Sequence, residues 1–443
     1  MQLSHFHYVS IIVYDPYFVN IFLLRVRMGI RRDSNLFKNV QLHFRLWYVI
    51  MILKSNTVEG QMKESEFGTL CVIAMRGCEE FAANVDYYLK EWRMHRGDCT
   101  FISNVDCPRF SSGEGKGLLH DSMRGHDVYI ICDVFNYGVT YKMYDQIVPM
   151  SPDDHYADLK RIISAIGGKA RRITVIMPML YEGRQHKRSS RESLDCALML
   201  QELEAIGVSN IITFDAHDPR VMNAIPLTGF DDIRTAYQMV KALVRVVPDI
   251  IIDKDSLVMI SPDEGAMGRC VYYSSVLGVD IGMFYKRRNY AKVVNGRNPI
   301  EAHIYLGPDL EGKDVIVVDD MISSGESLID VASQLRSKGV KRMFAFTTFG
   351  LFTSGFDKFD EAYKEGLITK VFTTNLIYRN PDLLKKPWYC EVNMCKYVAY
   401  IIDTLNHDDS LSSLLDPADR IHTLMEKHAK TLGGQLSIDF EGK

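Results

Sequence analysis

Short apolar runs alternate with helix-like segments along most of this chain, and this alternation constrains its fold more than any other feature. Strands that are apolar throughout belong to parallel sheets covered by helices on both faces. The pattern therefore predicts an α/β protein with two such sheets, divided near Ile233. The strand-like runs lie at 70–75, 127–132, 172–178, 210–215, 257–261, 281–285 and 315–319, and the helical spacings at 79–92, 156–166, 194–205, 234–253, 265–277 and 328–338.

The first 61 residues differ from the rest of the chain in charge. They hold seven Lys and Arg against three Asp and Glu, whereas the whole chain has a formal net charge of −4. Arginines interrupt their apolar runs, so no stretch approaches the roughly 20 apolar residues that span a bilayer. We expect residues 1–66 to be an extension, either poorly ordered or the result of a start codon assigned too early, since Met62 opens the first domain-like stretch. A membrane-surface anchor is the alternative.

Composition excludes several classes of protein. The chain has 443 residues, of which 47% are hydrophobic, enough for the cores of two or three domains. Its net charge of −4 argues against nucleic-acid binding through bulk charge. Nine cysteines without a CxxC pair indicate reduced thiols in a cytoplasmic protein, not disulfides or a structural zinc site.

The sharpest local feature is the sequence VIVVDDMISSGES. An apolar strand ends in Asp319 and Asp320, a small-residue turn of Ser323, Ser324 and Gly325 follows, and a helix then begins. Ligands of open parallel sheets bind at the carboxyl ends of the strands. The turn offers N–H groups and a helix dipole to a phosphate, and the carboxylates can bind a sugar diol or a Mg²⁺ complex. The same residues also fit an N-capped helix after an Asp-rich turn.

This segment resembles the ribose-phosphate loop of type I phosphoribosyltransferases, and more narrowly that of ribose-phosphate pyrophosphokinases. Further segments match that family in the same order, from about residue 67 to 415. They are RFSSGE at 109–114, RGHDVYI at 124–130, RQ at 184–185, DAH at 215–217, SPD at 261–263, KRR at 286–288 and NHDDSLSSLL at 406–415. The resemblance implies two tandem type I phosphoribosyltransferase-like domains, each a mainly parallel sheet flanked by helices. The ATP-side domain would cover 67–233, the ribose-phosphate domain 234–404, and a tail 405–443.

The resemblance also implies an activity. Enzymes of this family transfer the diphosphoryl group of ATP to the 1-hydroxyl of ribose 5-phosphate for nucleotide biosynthesis, with Mg²⁺ as cofactor. Charge accumulates on the transferring phosphates, so fixed cations and metal ions matter more than a protein nucleophile. By resemblance, Lys286 and Arg288 are the catalytic cations, Phe110, Glu114, Arg184 and Gln185 bind ATP, Asp319, Asp320, Ser323, Ser324, Gly325, Glu326 and Ser327 bind ribose phosphate, and His217 and Asp263 contact the metal.

In the family, the loop that carries Phe110 reaches into a neighbouring subunit's site. That arrangement implies a homo-oligomer, with a dimer building a hexamer. Without the resemblance, Phe110 before Ser-Ser-Gly would only anchor a turn, and a KRR cluster would be a solvated surface feature.

Several positions depart from the family pattern. Ser323 replaces a third aspartate of the sugar loop, Glu326 and Ser327 replace Gly and Thr, and His186 and Ser112 replace aspartates on the nucleotide side. A carboxylate at Glu326 would repel the 5-phosphate unless its side chain points away.

Two other functions remain open. A non-catalytic homologue would bind phosphoribosyl pyrophosphate (PRPP) or nucleotides and regulate a partner, although such a copy would be expected to lose Lys286, Arg288 or Asp263. A phosphoribosyltransferase would consume PRPP with the same loop, although it would not need Arg184 and Gln185.

Overall fold

The computed structural model describes residues 66–93, 100–288 and 300–441, together with two strands nearer the N-terminus; at 286–288, 300–303 and 433–441 only the backbone is described. The chain divides into two compact units, Met1–Ser65 and Glu66–Lys443. In the first unit, β1 (His7–Tyr14) and β2 (Ile21–Met28) pair antiparallel. The rest of the predicted extension lies outside the described residues.

The N-terminal sheet of the second unit consists of six parallel strands. They are β3 (Thr69–Ala74), β4 (Ile102–Ser103), β7 (His126–Ile131), β10 (Arg172–Ile176), β11 (Asn210–Phe214) and β12 (Gly229–Ile233), in the order β12-β11-β10-β7-β3-β4. Two hairpins accompany them, formed by β5 (Val105–Asp106) with β6 (Leu118–Leu119) and by β8 (Thr140–Met143) with β9 (Gln146–Pro149). The four strands predicted before Ile233 all lie in this sheet. Their sequences are apolar throughout because both faces of the sheet are buried.

The C-terminal sheet has seven strands and is parallel except at one edge. They are β13 (Leu257–Ser261), β14 (Asp280–Arg288), β15 (Ile300–Leu306), β16 (Asp314–Ile322), β17 (Arg342–Gly350), β18 (Lys370–Thr374) and β19 (Tyr389–Val392), in the order β15-β14-β13-β16-β17-β18-β19, with β15 antiparallel. Strand β16 is longer than predicted because it pairs with β17 as far as Ile322, opposite Gly350. Asp319 and Asp320 therefore lie within the strand.

Helices cover both sheets. They are α1 (Glu79–Trp92), α2 (Pro152–Ile166), α3 (Asp195–Ala205), α4 (Ala236–Val246), α5 (Met267–Leu277), α6 (Glu326–Ser337), α7 (Asp357–Lys364), α8 (Cys395–Asn406), α9 (Ser412–Leu415) and α10 (Ala418–Glu441), with 3-10 turns at Pro219–Ala224 and Leu383–Lys385. Helix α2 shows why they form where they do. Ser151 and Asp154 make a reciprocal capping box at its start, and Gly167 ends it in the left-handed conformation. The mixed α/β fold with parallel sheets flanked by helices confirms the predicted fold class.

The helix predicted at 234–253 is shorter in the structure. Helix α4 ends at Val246, and Val247 and Pro248 follow it. Proline disfavours the helical conformation of the residue before it and cannot donate a backbone hydrogen bond, so the helix stops there. The apolar residues at 250–252 continue as a connection to β13.

Helix α8 joins the two halves of the second unit. It follows the last strand of the C-terminal sheet but packs against α1 of the N-terminal half, where the Trp92 and Tyr400 rings stack 4.2 Å apart. At its end the buried Asn406 side chain donates hydrogen bonds to the Gly68 carbonyl at 2.9 Å and to Asp127 at 3.0 Å. None of the described helices is long and apolar enough to cross a membrane.

Candidate active site

The carboxyl ends of three neighbouring strands of the C-terminal sheet bring most of the predicted residues together. β13, β14 and β16 are adjacent and parallel, so their ends lie on one edge of the sheet. Asp263 follows β13, and Asp319 lies near the end of β16. Lys286 and Arg288 are in the last residues of β14, where a bulge separates Arg288 from Arg287. The side chains of Lys286 and Arg288 lie outside the described residues, so only their backbone position is established.

Asp319 and Asp320 leave β16 on opposite faces, because side chains alternate along a strand. Ile316 and Val318, on the same face as Asp320, belong to the core shared with the N-terminal half. Val315 and Val317, on the same face as Asp319, pack against α6. The two adjacent carboxylates therefore face different partners.

The surroundings of the two carboxyls shift their pKa values apart. Burial and the adjacent Asp320 charge raise the pKa of Asp319 well above its usual value. Burial alone would also raise the pKa of Asp320, but a hydrogen bond with His217 and the charge of Arg269 outweigh it and lower that pKa. Of the two carboxyls, Asp319 therefore holds its proton more tightly and Asp320 is more readily ionised.

A short segment after β11 connects the N-terminal half to this carboxylate pair. His217 Nδ1 lies 2.7 Å from Asp320 Oδ2. Arg269 of α5 donates to the Ala216 carbonyl at 2.6 Å, and its Nη2 lies 3.8 Å from Asp320 Oδ2. Asp215 accepts a hydrogen bond of 2.6 Å from Thr348 of β17. The C-terminal half therefore holds the predicted metal-contact histidine in a fixed position.

The small-residue turn forms a cleft beside Asp319. It is lined by Pro262, Asp263, Asp319, Met321, Ile322, Ser323, Ser324, Gly325, Ser327, Leu328 and Thr347. Gly325 has φ +84°, and a Cβ atom there would lie 2.3 Å from the Phe359 ring, so only glycine fits. The first turn of α6 begins at Glu326 directly after it, and Ser327 and Leu328 of that turn line the cleft.

Glu326, the departure expected to repel a phosphate, points away from the cleft. Its carboxylate pairs with the Lys358 ammonium of α7 at 2.6 Å, and its side chain is 63% exposed. The hydrogen bond from Lys358 lowers the pKa of Glu326, so the group stays ionised outside the cleft. Glu326 is absent from the residues that line the cleft, whereas its neighbours Gly325 and Ser327 are among them.

A second cleft lies between the two halves on the other side of β16. It is lined by Phe135, Pro152, Met179, Leu180, Glu182, Gly183, Arg184, Phe214, Ala216, His217, Asp320, Met321 and Phe349. Met321 lines both clefts, so they are neighbours. Arg184 is the predicted nucleotide contact that the structure places in this cleft.

The other predicted nucleotide contacts lie elsewhere in this chain. The Gln185 amide donates to the Ser193 carbonyl at 2.8 Å and so holds its own loop. Phe110 is 57% exposed in the loop between β5 and β6, and Glu114 in the same loop accepts from Ser112 at 2.9 Å. None of the three lines either cleft.

The predicted metal contacts fit a cation held mainly by substrate phosphates. His217 pairs with Asp320, whereas one oxygen of Asp263 accepts from the Gly265 N–H at 2.9 Å. No cluster of three or more metal-ligating side chains occurs among the described residues. Mg²⁺ commonly uses one or two protein carboxylates together with substrate phosphates and water, so this arrangement is compatible with it.

The sequence pattern did not reveal three residues of the site. Arg269 and Thr348 position the segment at 215–217, and Lys358 holds Glu326 away from the cleft. All three belong to ordinary helix or strand patterns, so no local signal marks them. Only the meeting of distant elements gives them a role.

Comparisons with known proteins agree with this arrangement. A model of the N-terminal domain of ribose phosphate pyrophosphokinase matches residues 70–207, and a phosphoribosyl transferase domain model matches residues 232–372. Ribose-phosphate pyrophosphokinase A of Dictyostelium discoideum is 27% identical over 69% of this chain and 88% of its own length. Ribose-phosphate pyrophosphokinase of Vibrio cholerae is 26% identical over 76% of this chain and 98% of its own length.

A solved structure shares the fold. The crystal structure of phosphoribosylpyrophosphate synthetase from Mycobacterium smegmatis aligns with a TM-score of 0.62 and 20% identity, covering 77% of this chain and 99% of that chain. The paired domain models match in the order in which the two sheets occur, and the relatives match over nearly their full length. The chain belongs to the ribose-phosphate pyrophosphokinase family.

Proposed function

We propose that this chain transfers the diphosphoryl group of ATP to the 1-hydroxyl of ribose 5-phosphate, giving PRPP and AMP. The observation that carries the proposal is the pair of adjoining clefts on either side of β16. One has a phosphate-type turn beside Asp319, and the other has Arg184 and His217. A donor in one cleft and an acceptor in the other would meet beside the ends of β13, β14 and β16.

The turn after β16 is the proposed site of the sugar phosphate. The 5-phosphate would accept hydrogen bonds from the backbone at 323–327, where the helix dipole of α6 favours negative charge. Asp319 would accept hydrogen bonds from the ring hydroxyls. Because Glu326 pairs with Lys358 outside the cleft, its carboxylate leaves this phosphate position open.

The cleft with Arg184 is the proposed site of the ATP phosphates. A guanidinium grips phosphate oxygens through paired, charge-assisted hydrogen bonds. Bound Mg²⁺, contacted by His217 and Asp263, would neutralise charge on the phosphates. Phe110 and Glu114 would reach the adenine of a neighbouring copy in a homo-oligomer, a dimer building a hexamer, since they line neither cleft of their own chain.

The chemical step is an in-line displacement. The 1-hydroxyl oxygen of the sugar bonds to the β-phosphorus, the bond from that phosphorus to the oxygen bridging to the α-phosphorus breaks, and AMP leaves as the hydroxyl proton is lost to solvent. Lys286 and Arg288 would stabilise the charge that builds up on the transferring oxygens. Their place at the end of β14, beside β13 and near β16, supports this role.

The test is AMP release from ATP, measured by chromatography, with purified protein, Mg²⁺ and ribose 5-phosphate. We expect AMP to form at a rate that depends on the sugar, with no ADP. Folded protein that binds PRPP or a nucleotide without releasing AMP would overturn the proposal in favour of a regulatory homologue. Consumption of PRPP with a base would instead identify a phosphoribosyltransferase.

A further inference from the structure

Thr347 lines the cleft beside Asp319, which is the proposed site of the sugar phosphate and is called the sugar cleft below. No sequence motif marks this residue. It lies in β17, directly opposite Asp319 of β16 in the parallel register. The residue is 1% exposed, and it lines the cleft together with Asp319 and the small-residue turn. Its hydroxyl is buried and has no hydrogen-bond partner among the described residues.

The neighbouring buried threonines behave differently. Thr348 donates to Asp215 at 2.6 Å, Thr374 donates to the Thr348 carbonyl at 2.6 Å, and the Thr373 hydroxyl lies 2.9 Å from the Tyr389 hydroxyl. Leaving a buried hydroxyl unpaired is destabilising, because the group loses its hydrogen bonds to water and gains none in return. A polar group kept at that cost on the wall of a ligand cleft is explained most directly by a partner that arrives with the ligand.

The ligand group that fits is a hydroxyl. The partner must reach a site next to Asp319, whose carboxyl group can accept hydrogen bonds and, when protonated, can also donate one. A threonine hydroxyl both donates and accepts, so it can complete a chain that runs from a carboxyl through a sugar hydroxyl. The proposed position of the 5-phosphate is the turn at 323–327, so the phosphate is not this partner.

We propose that the Thr347 hydroxyl hydrogen-bonds one ring hydroxyl of ribose 5-phosphate and makes the cleft selective for ribose over a deoxyribose. The inference rests on the proposed function and goes beyond it by naming the residue that reads the sugar. A site built to pair a substrate hydroxyl disfavours the analogue that lacks it, because its own buried group is then left unpaired.

The experiment compares Thr347→Val with the unaltered protein on three acceptors. Valine keeps the shape and removes only the hydroxyl. The acceptors are ribose 5-phosphate, 2-deoxyribose 5-phosphate and 3-deoxyribose 5-phosphate, and the readout is kcat/KM for AMP release. The matched control is Thr373→Val, in the adjacent strand opposite Thr347, whose hydroxyl pairs with Tyr389 and which does not line the cleft.

We expect Thr347→Val to lower kcat/KM for ribose 5-phosphate about tenfold. With the one deoxy sugar that lacks the partner hydroxyl, the variant and the unaltered protein should be equal, because the interaction is already missing. Thr373→Val should leave the ratio between the three sugars unchanged.

Equal losses on all three sugars, or no loss on any, would overturn the inference and leave Thr347 a structural residue. Failure of the proposed function is distinguishable, because the unaltered protein would then release no AMP with any sugar. If Thr347→Val fails to fold, Thr347→Ser restores the test. Serine keeps the hydroxyl, so this variant should keep the preference for ribose, and losing that preference while folded would also overturn the inference.

Discussion

The two halves of the molecule use the same kind of sheet edge in different ways. In the C-terminal half, only residues 323–325 separate the end of β16 from the start of α6. In the N-terminal half, residues 177–194 separate β10 from α3. The short connection fixes its backbone through Gly325 and the first turn of a helix. The long one carries Arg184, Gln185 and His186 on loop structure of its own.

Hydrogen bonds join the two halves at specific points. His217 follows strand β11 of the N-terminal sheet, yet Asp320 and Arg269 of the C-terminal half hold its segment. Asp133, after β7, likewise accepts a hydrogen bond of 2.6 Å from the Tyr378 N–H. The C-terminal half therefore fixes selected points of the N-terminal half through these hydrogen bonds.

The largest effect is expected from Lys286→Ala. If the C-terminal half supplies the transition-state cation, kcat for AMP release should fall by on the order of 10³, with the fold retained. Steady-state kinetics with circular dichroism measure both. The control is Lys241→Ala on the exposed side of α4, which should keep full activity. An unchanged kcat in Lys286→Ala would remove this residue from the chemistry.

A smaller effect is expected from Arg184→Ala in the N-terminal half. Loss of a charge-assisted hydrogen bond to phosphate costs about 1.5–3 kcal/mol, so the KM for ATP should rise roughly tenfold to a hundredfold. The KM for ribose 5-phosphate should change little, because Arg184 lines only the other cleft. Arg188→Ala, on the same loop, is the matched control. A rise in the sugar KM alone would mean that the assignment of the two clefts is reversed.

The contact between the halves makes a prediction about pH. Burial raises the pKa of Asp133 to about 6, against hydrogen bonds from the Phe135 and Tyr378 N–H groups that lower it. The folded state therefore holds a proton that the unfolded state loses first, and this stabilisation is present below about pH 4 and lost as the pH rises through 6. The loss is at most about 3 kcal/mol.

Asp133→Asn should remove this part of the pH dependence. Urea unfolding at pH 4.5 and pH 7.5 measures it as the change in the free energy of unfolding between the two conditions. The change should be less negative in Asp133→Asn than in the unaltered protein, whereas Asp145→Asn, an exposed control, should match the unaltered protein. Identical pH slopes in all three proteins would contradict a buried, protonated Asp133 at the contact.

The smallest effect concerns the ion pair at the edge of the sugar cleft. Lys358→Ala releases the Glu326 carboxylate, which then repels the 5-phosphate, and the KM for ribose 5-phosphate should rise about threefold. The double variant Glu326→Gln with Lys358→Ala carries no such charge and should return to the original KM. A double variant no better than Lys358→Ala would show that Lys358 acts directly and not through Glu326.

The sequence predicts the features of the site that are local in the chain, but not those that distant elements form together. Apolar strand patterns located seven of the thirteen strands described in the two sheets, four in the first and three in the second, and did not predict the other six. The family motif placed Asp319 and the Ser-Gly turn next to one another. Motif and site coincide there because the contacts are local in sequence. The outward direction of Glu326 and the unpaired hydroxyl of Thr347 depend on contacts between distant elements. No pattern of residue types along the chain encodes them.

The central claim is that the adjoining clefts carry a diphosphoryl group from one substrate to the other. Phosphorus NMR of a reaction with Mg²⁺, ATP and ribose 5-phosphate tests it most directly, because it reports which phosphorus atoms move together. We predict that the signals of the β- and γ-phosphates reappear as a diphosphate on carbon 1 of ribose 5-phosphate, with an equal amount of AMP. Formation of ADP with free phosphate, or unchanged ATP in the presence of folded protein, would contradict the account.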